Sequence, residues 1–262
     1  HIEKNCPRVE IGRFHLPCLA RFPGASMVNR ATCRNALALA VMAALTALSS
    51  PAVATSVGNL RSVQPAASTD TVSAWDIDTD TGTRLRIDVL RADLIRVQAG
   101  RKGVLTSEGS KAASIVLPQP ASTAQATLEQ DADEIRIRTD VLQLTIQRTP
   151  LKLSLARIES GKIVPVWQEL QPLDLSDKQS LQVLSSSADE RFFGGGQQNG
   201  SFQFKGRELP ISYSGGWEEG DRPSPAPMLL SSRGWGMLRN TWSDGDYDLR
   251  QPDAASLLHA ED

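Results

Sequence analysis

The stretch 134-EIRIRTDVLQLTIQRTPLKLSL-155 decides the fold. Ile135 and Ile137 alternate with Arg136 and Arg138; Leu142, Leu144 and Ile146 alternate with Gln143, Thr145 and Gln147; Leu151, Leu153 and Leu155 enclose Lys152 and Ser154. A period of two sends successive side chains to opposite faces of an extended chain, so each run carries one apolar and one polar face. That is the pattern of half-buried antiparallel strands. Working outward, Leu85, Ile87 and Val89 alternate with Arg84, Arg86 and Asp88. Turn-forming groups separate the alternating runs: Thr79-Asp80-Thr81-Gly82, Glu159-Ser160-Gly161-Lys162, Lys205-Gly206-Arg207 and Ser232-Arg233-Gly234, where glycine can take a positive φ. No segment after residue 54 keeps a helical period for three turns. The spacing predicts an all-β fold, a sandwich of antiparallel sheets.

The chain has 262 residues, 22% of them charged, and a formal charge of −2. A balance so near neutral argues against nucleic acid as a partner. Met27 opens a segment with basic Arg30 and Arg34, an uncharged run from Ala36 to Leu48 and the small-residue site Ala52-Val53-Ala54. That order is expected of a secretory signal over 27–54, cleaved after Ala54. The apolar run is shorter than the roughly 20 residues that span a bilayer, so no membrane association is expected after cleavage. The expected localisation is export, to the periplasm or beyond. Residues 1–26 lack a clean period and are expected to be a non-native upstream extension; 55–74 read as a flexible lead-in, and the sandwich is expected over 75–262.

Cys6, Cys18 and Cys33 all precede the expected cleavage point, so the mature chain would carry no thiol. This excludes a cysteine nucleophile, a thiolate metal site and disulfide stapling, and leaves stability to a buried core. His259 is the one histidine after residue 54, too few for a histidine metal site. Asn240–Asp248 holds three aspartates but lacks the closing glutamate of a calcium loop, and no metal or cofactor is expected.

Rings gather late in the chain: nine of the thirteen Phe, Trp and Tyr residues lie between Phe192 and Tyr247. Phe202, Phe204 and Trp235 follow the strand period and are expected in the core. A hairpin is expected in which Leu209, Ile211 and Tyr213 answer Phe202 and Phe204 across the Lys205-Gly206-Arg207 turn. Trp217 differs, because Gly215 and Gly216 precede it and Glu218, Glu219 and Asp221 follow. An exposed indole beside carboxylates suits a sugar, whose ring stacks on the indole while its hydroxyls donate to the acids. Glu218 and Glu219 are adjacent and would diverge in an extended loop, which argues against a catalytic pair.

Glu190-Arg191-Phe192-Phe193-Gly194-Gly195-Gly196, followed by Pro225-Ala226-Pro227-Met228-Leu229-Leu230-Ser231-Ser232-Arg233-Gly234-Trp235-Gly236, resembles the N-terminal β-sandwich of glycoside hydrolase family 31. The resemblance runs from about Thr83 to Leu249, with Phe193 where the family commonly has tyrosine. It implies a galactose mutarotase-like sandwich placed before a (β/α)₈ barrel that carries the aspartate nucleophile and the aspartate acid/base. It further implies a retaining α-glycosidase acting by double displacement, with no catalytic residue in this chain, whose C-terminal barrel would lie beyond Asp262. The partners implied are an oligosaccharide or glycoside substrate and that barrel. The loop Ser214–Asp221 would lean over the barrel mouth, with Trp217, Glu218 and Asp221, and also Asn199 and Trp242, as the substrate-binding residues. The glycines of 192–200 would let this backbone approach the barrel. A free-standing carbohydrate-binding sandwich is the alternative. Strands that normally pack on a barrel would leave an exposed apolar patch.

Overall fold

The computed structural model of the protein describes residues 56–66, 73–105 and 124–260. The expected extension and signal over 1–54 lie outside these residues. Four antiparallel sheets make up the described chain. The first joins β1 (Leu60–Pro65), β2 (Ser73–Thr79), β3 (Arg84–Arg91) and β4 (Leu94–Gly100) in chain order. The expected lead-in is thereby corrected: Leu60–Pro65 is a strand, and its pairing with β2 supplies the order that its own composition does not.

The second sheet is a meander of β5 (Thr127–Gln130), β6 (Glu134–Arg138), β7 (Leu142–Arg148), β8 (Leu151–Glu159) and β9 (Lys162–Gln168). It contains the opening stretch, and the alternation reads directly as burial. Ile135, Ile137, Leu144 and Ile146 are at most 1% exposed, while Arg136, Gln143 and Thr145 are partly solvated. The β8–β9 turn places Ser160 and Gly161 at φ 50° and 79°, the two left-handed positions of a tight hairpin.

The last third alternates between two sheets. In chain order it runs β10 (Asp174–Leu175), β11 (Gln179–Ser185), β12 (Phe192–Gln197), β13 (Glu208–Ile211), β14 (Ser224–Ser231), β15 (Trp235–Leu238), β16 (Gly245–Asp248) and β17 (Ala254–Ala260). One sheet has the order β10-β11-β17-β16-β13 and the other β12-β14-β15. The expected hairpin across Lys205-Gly206-Arg207 does not form: β13 pairs with β16, and 198–207 is a loop. Leu209 and Ile211 are buried and Tyr213 is exposed, because β13 turns its apolar face to the shared core and ends before Tyr213.

All four sheets contribute to one core, including Ile77 and Ile87, Ile135 and Ile146, Leu184 and Leu257, and Phe192, Leu229 and Trp235. Buried polar groups tie the layers together. Glu169, 3% exposed, accepts from the Leu153 amide at 2.8 Å and from Gln182 Nε2 at 2.6 Å, linking the meander to β11. Burial pushes its carboxyl above the ordinary carboxylate range, against the pull of those two donors. Tyr247 Oη and His259 Nε2 meet at 2.8 Å between β16 and β17. Among the described residues no helix is long and apolar enough to cross a membrane.

Candidate functional site

The three-stranded sheet positions the residues singled out from the sequence. β12 and β14 run antiparallel, with Gln197 opposite Ser224; β15 runs back along β14, with Leu238 opposite Met228. The end of β12, the start of β14 and the end of β15 therefore share one end of the sheet. From that end emerge the loops 198–207, 212–223 and 239–244. They carry Asn199; Trp217, Glu218 and Asp221; and Trp242.

Within the middle loop the residues divide by role. Its base is closed by an antiparallel bridge of Ser214 to Arg222, whose backbone amides each reach the other's carbonyl at 3.2 Å. Arg222 Nε donates to the Ser212 carbonyl at 2.9 Å. Asp221 Oδ2 accepts from the Glu218 amide at 2.9 Å and fills the space where a Cβ on Gly216 would sit. Asn199 donates from its backbone amide to the Asp221 carbonyl at 3.0 Å and from Nδ2 to the Glu218 carbonyl at 3.1 Å. Asp221 and Asn199 thus engage the loop itself, whereas Trp217 is 78% exposed and Glu218 is also exposed. Trp242, 67% exposed, sits on the neighbouring loop beside Ser243, whose amide donates to Thr241 Oγ1 at 3.0 Å.

Phe202, expected in the core, is instead 83% exposed; Phe204 and Trp235 are buried as the period required. Phe202 lies against Phe193 with ring centroids 5.5 Å apart. Phe193 is opposite Leu230, and Met228 opposite Leu238, so these four side chains share the outward face of the sheet. Met228, Leu230 and Leu238 are 39%, 38% and 46% exposed. Phe202, from the loop 198–207, joins this apolar face by packing on Phe193.

The glycines of β12 serve a different purpose from the one expected. Gly194, Gly195 and Gly196 have φ of 112°, 73° and 75°. A Cβ on Gly194 would lie 2.4 Å from the Met228 carbonyl oxygen, and one on Gly196 2.2 Å from that of Ser224. Both atoms belong to β14 of this same domain. The register between β12 and β14 shifts at this point, so the glycines absorb a bulge inside the sheet.

The paired motifs meet at Glu190, which is 2% exposed. The Ser231 hydroxyl donates to Glu190 Oε1; Trp235 Nε1 donates to the same oxygen at 3.1 Å, and the Ser187 amide to Oε2 at 3.2 Å. These residues fasten β12 to the β14–β15 hairpin, which is a structural task.

Sequence reasoning missed two features of this end. Tyr213 is 71% exposed at the entry to the middle loop, hidden among residues that followed a strand period. An open cleft of about 340 Å³ lies where the same loops root in the five-stranded sheet, lined by Lys178, Ser212, Asp244 and Asp246 over Pro210 and Leu258. Burial, then the nearby Glu208 and Asp248, pushes the Asp246 carboxyl up. Among the described residues no cluster of three His, Cys, Asp or Glu side chains is placed to hold a metal ion.

Residues 84–248 match the glycosyl hydrolase 31 N-terminal galactose mutarotase-like domain. The chain belongs to this family. Solved structures share the fold at low identity, family 31 enzymes among them. A dextranase of Flavobacterium johnsoniae in complex with isomaltotriose has a TM-score of 0.66 at 13% identity, over 78% of this chain and 25% of its own. The cycloalternan-forming enzyme of Listeria monocytogenes, in complex with a pentasaccharide substrate, gives 0.61 at 15%, over 79% and 20%. An α-xylosidase of Xanthomonas citri gives 0.51 at 22%, over 74% and 20%. The family 31 domain described here therefore spans a fifth to a quarter of the length of these enzymes. Among curated proteins none matches the chain.

Proposed function

We propose that this chain is the exported N-terminal domain of a retaining α-glycosidase, and that its loop end forms part of the rim of the sugar site. One observation carries the reading: loops from a single end of one sheet hold Trp217 and Trp242 in solvent, with the exposed Glu218 next to Trp217 in the chain. A pyranose face stacks on Trp217 and a hydroxyl donates to Glu218. Asn199 and Asp221 shape the loop, and Trp242 offers a second exposed ring on the neighbouring loop. The outward face of β12, β14 and β15 is the seat for a C-terminal (β/α)₈ barrel, since a contiguous apolar face rimmed by polar loops is the usual mark of an interface. The barrel supplies the nucleophilic aspartate and the acid/base aspartate, which act through a covalent glycosyl intermediate. The residues of this chain bind and orient; they move no proton in the reaction. The order of Arg30, Arg34, the apolar run and Ala52-Val53-Ala54 supports export.

Reading the DNA past codon 262 and expressing the whole frame tests this directly. A frame that continues into alternating strands and helices with aspartates at strand ends is expected, and in that enzyme Trp217→Ala should raise KM for an α-glucan about tenfold or more, the loss of a stacked ring. A frame that closes without a barrel would make the chain a free-standing sugar-binding sandwich. N-terminal sequencing of the secreted protein should begin at Thr55; a mature chain that keeps 27–54 would refute export.

A further inference from the structure

We infer that Asn199 is a positioning residue, a clamp from the loop after β12 that holds Trp217 out in a fixed attitude; its service to sugar recognition rests on the reading above. Asn199 grips the middle loop at three points. Its amide donates to the Asp221 carbonyl at 3.0 Å, its own carbonyl accepts from the Gly220 amide at 3.2 Å, and Nδ2 donates to the Glu218 carbonyl at 3.1 Å. The two backbone bonds form a short ladder between the loops, and the side-chain bond crosses it. Glycine follows at 200 for a steric reason: a Cβ there would lie 2.6 Å from Glu219 Cγ. With φ at 90°, a larger residue would take a strained backbone and turn the exposed Glu219 side chain aside.

The clamp is one of three restraints on the same short segment, with the Ser214–Arg222 bridge at the base and the Asp221 carboxylate over the Glu218 amide. Between them stands Trp217, 78% exposed. An apolar ring in water gains nothing for the fold, and the surrounding glycines at 215, 216 and 220 would leave an unrestrained loop many conformations. Holding the ring still removes ordering entropy that a ligand would otherwise have to supply on binding. The half-buried Asn199 side chain is occupied by the Glu218 carbonyl, so it acts on a sugar through Trp217.

The test is Asn199→Ala, read by time-resolved fluorescence anisotropy of Trp217, isolated as the difference between each chain and its Trp217→Phe counterpart. The expected result is a two- to threefold gain in the nanosecond local motion of Trp217, with the melting temperature within about 2 °C, as befits a change at an exposed loop. Asn199→Asp, which keeps the size and the backbone bonds but offers the Glu218 carbonyl no donor, should behave like alanine. Unchanged Trp217 motion in Asn199→Ala, or Asn199→Asp indistinguishable from the parent chain, overturns the clamp. Isomaltotriose serves as the binding probe. Asn199→Ala should weaken it about fivefold, the worth of one ordinary hydrogen bond, and Trp217→Ala should abolish it. If isomaltotriose binds the parent chain and Asn199→Ala equally, the clamp has no part in recognition and the inference fails. If the parent chain binds none, the sugar reading falls, and the anisotropy result alone decides the clamp.

Discussion

Glu190 to alanine should be among the most damaging single changes in the domain, although Glu190 touches no candidate ligand. Its carboxylate takes three donors: the Ser231 hydroxyl, the Trp235 indole N–H and the Ser187 amide. Ser231 and Trp235 are 8% and 9% exposed, so water cannot replace what they lose, whereas half-buried Ser187 can find a solvent partner. Two orphaned buried donors cost about 1–3 kcal/mol each, and the cavity adds about 1, for a total near 4 kcal/mol. In a domain of about 200 residues that corresponds to a fall of roughly 10 °C in Tm. Glu190→Gln keeps one oxygen, which can still accept from Ser231 and Trp235, and turns an amide toward the Ser187 N–H; the cost is about 1–2 kcal/mol. Urea unfolding of the three chains, followed by tryptophan fluorescence, measures both. An alanine variant within about 1 kcal/mol of the parent, or a glutamine variant worse than alanine, would refute the claim that this carboxylate fastens β12 to the β14–β15 hairpin.

Other expectations follow from single features of the structure. Burial lowers the His259 pKa to about 4, so the folded state prefers the neutral ring. The unfolded chain binds the extra proton first; stability from this group is full above pH 6.5 and is lost as pH falls toward 4, by at most about 3 kcal/mol, and His259→Gln should flatten that part of the pH–stability curve. Gly196→Ala should cost about 3 kcal/mol or more, because φ is 75° and the new Cβ meets the Ser224 carbonyl, while Gly206→Ala, at φ 83° with open space around it, should cost only about 1 kcal/mol; thermal melts compare the two. Phe204→Ala should lose about 3–5 kcal/mol and Phe202→Ala less than about 1, since one ring is 5% and the other 83% exposed, and urea unfolding separates them. Changing Met228, Leu230 and Leu238 together to lysine should abolish binding of a hydrophobic dye with little change in Tm; persistent dye binding would remove the support for a docking face.

Much of this was legible in the chain. The two-residue alternation from Glu134 to Leu155 predicted half-buried antiparallel strands, which the structure arranges as a meander, and the glycine-containing turns after Thr79 and Glu159 fell where hairpins form. The motif pair around Glu190 and Ser231 identified the family, and the structure explains why the two halves occur together: they share one buried carboxylate. The exposure of Trp217 also followed from its setting among glycines and acids.

What alternation leaves open is which side of a strand another layer covers. Phe202 and Phe204 are equivalent by period, yet one rests on the outward face against Phe193 and the other fills the core. The partner of β13 is β16 and not the loop at 202–204, a pairing across more than thirty residues that no local pattern encodes. Asn199 and Asp221 looked like ligand contacts because amides and carboxylates at loops can be either; the approach of two loops gave the Asn199 side chain its partner, whereas the Asp221 carboxylate closes a turn within its own loop onto the Glu218 amide. The sequence by itself set which segments extend, where they turn and which side chains oppose each other across a strand, because those depend on backbone geometry and neighbours a few residues away. The tertiary structure decided which faces are covered and which polar groups are satisfied, because those depend on contacts between segments distant along the chain.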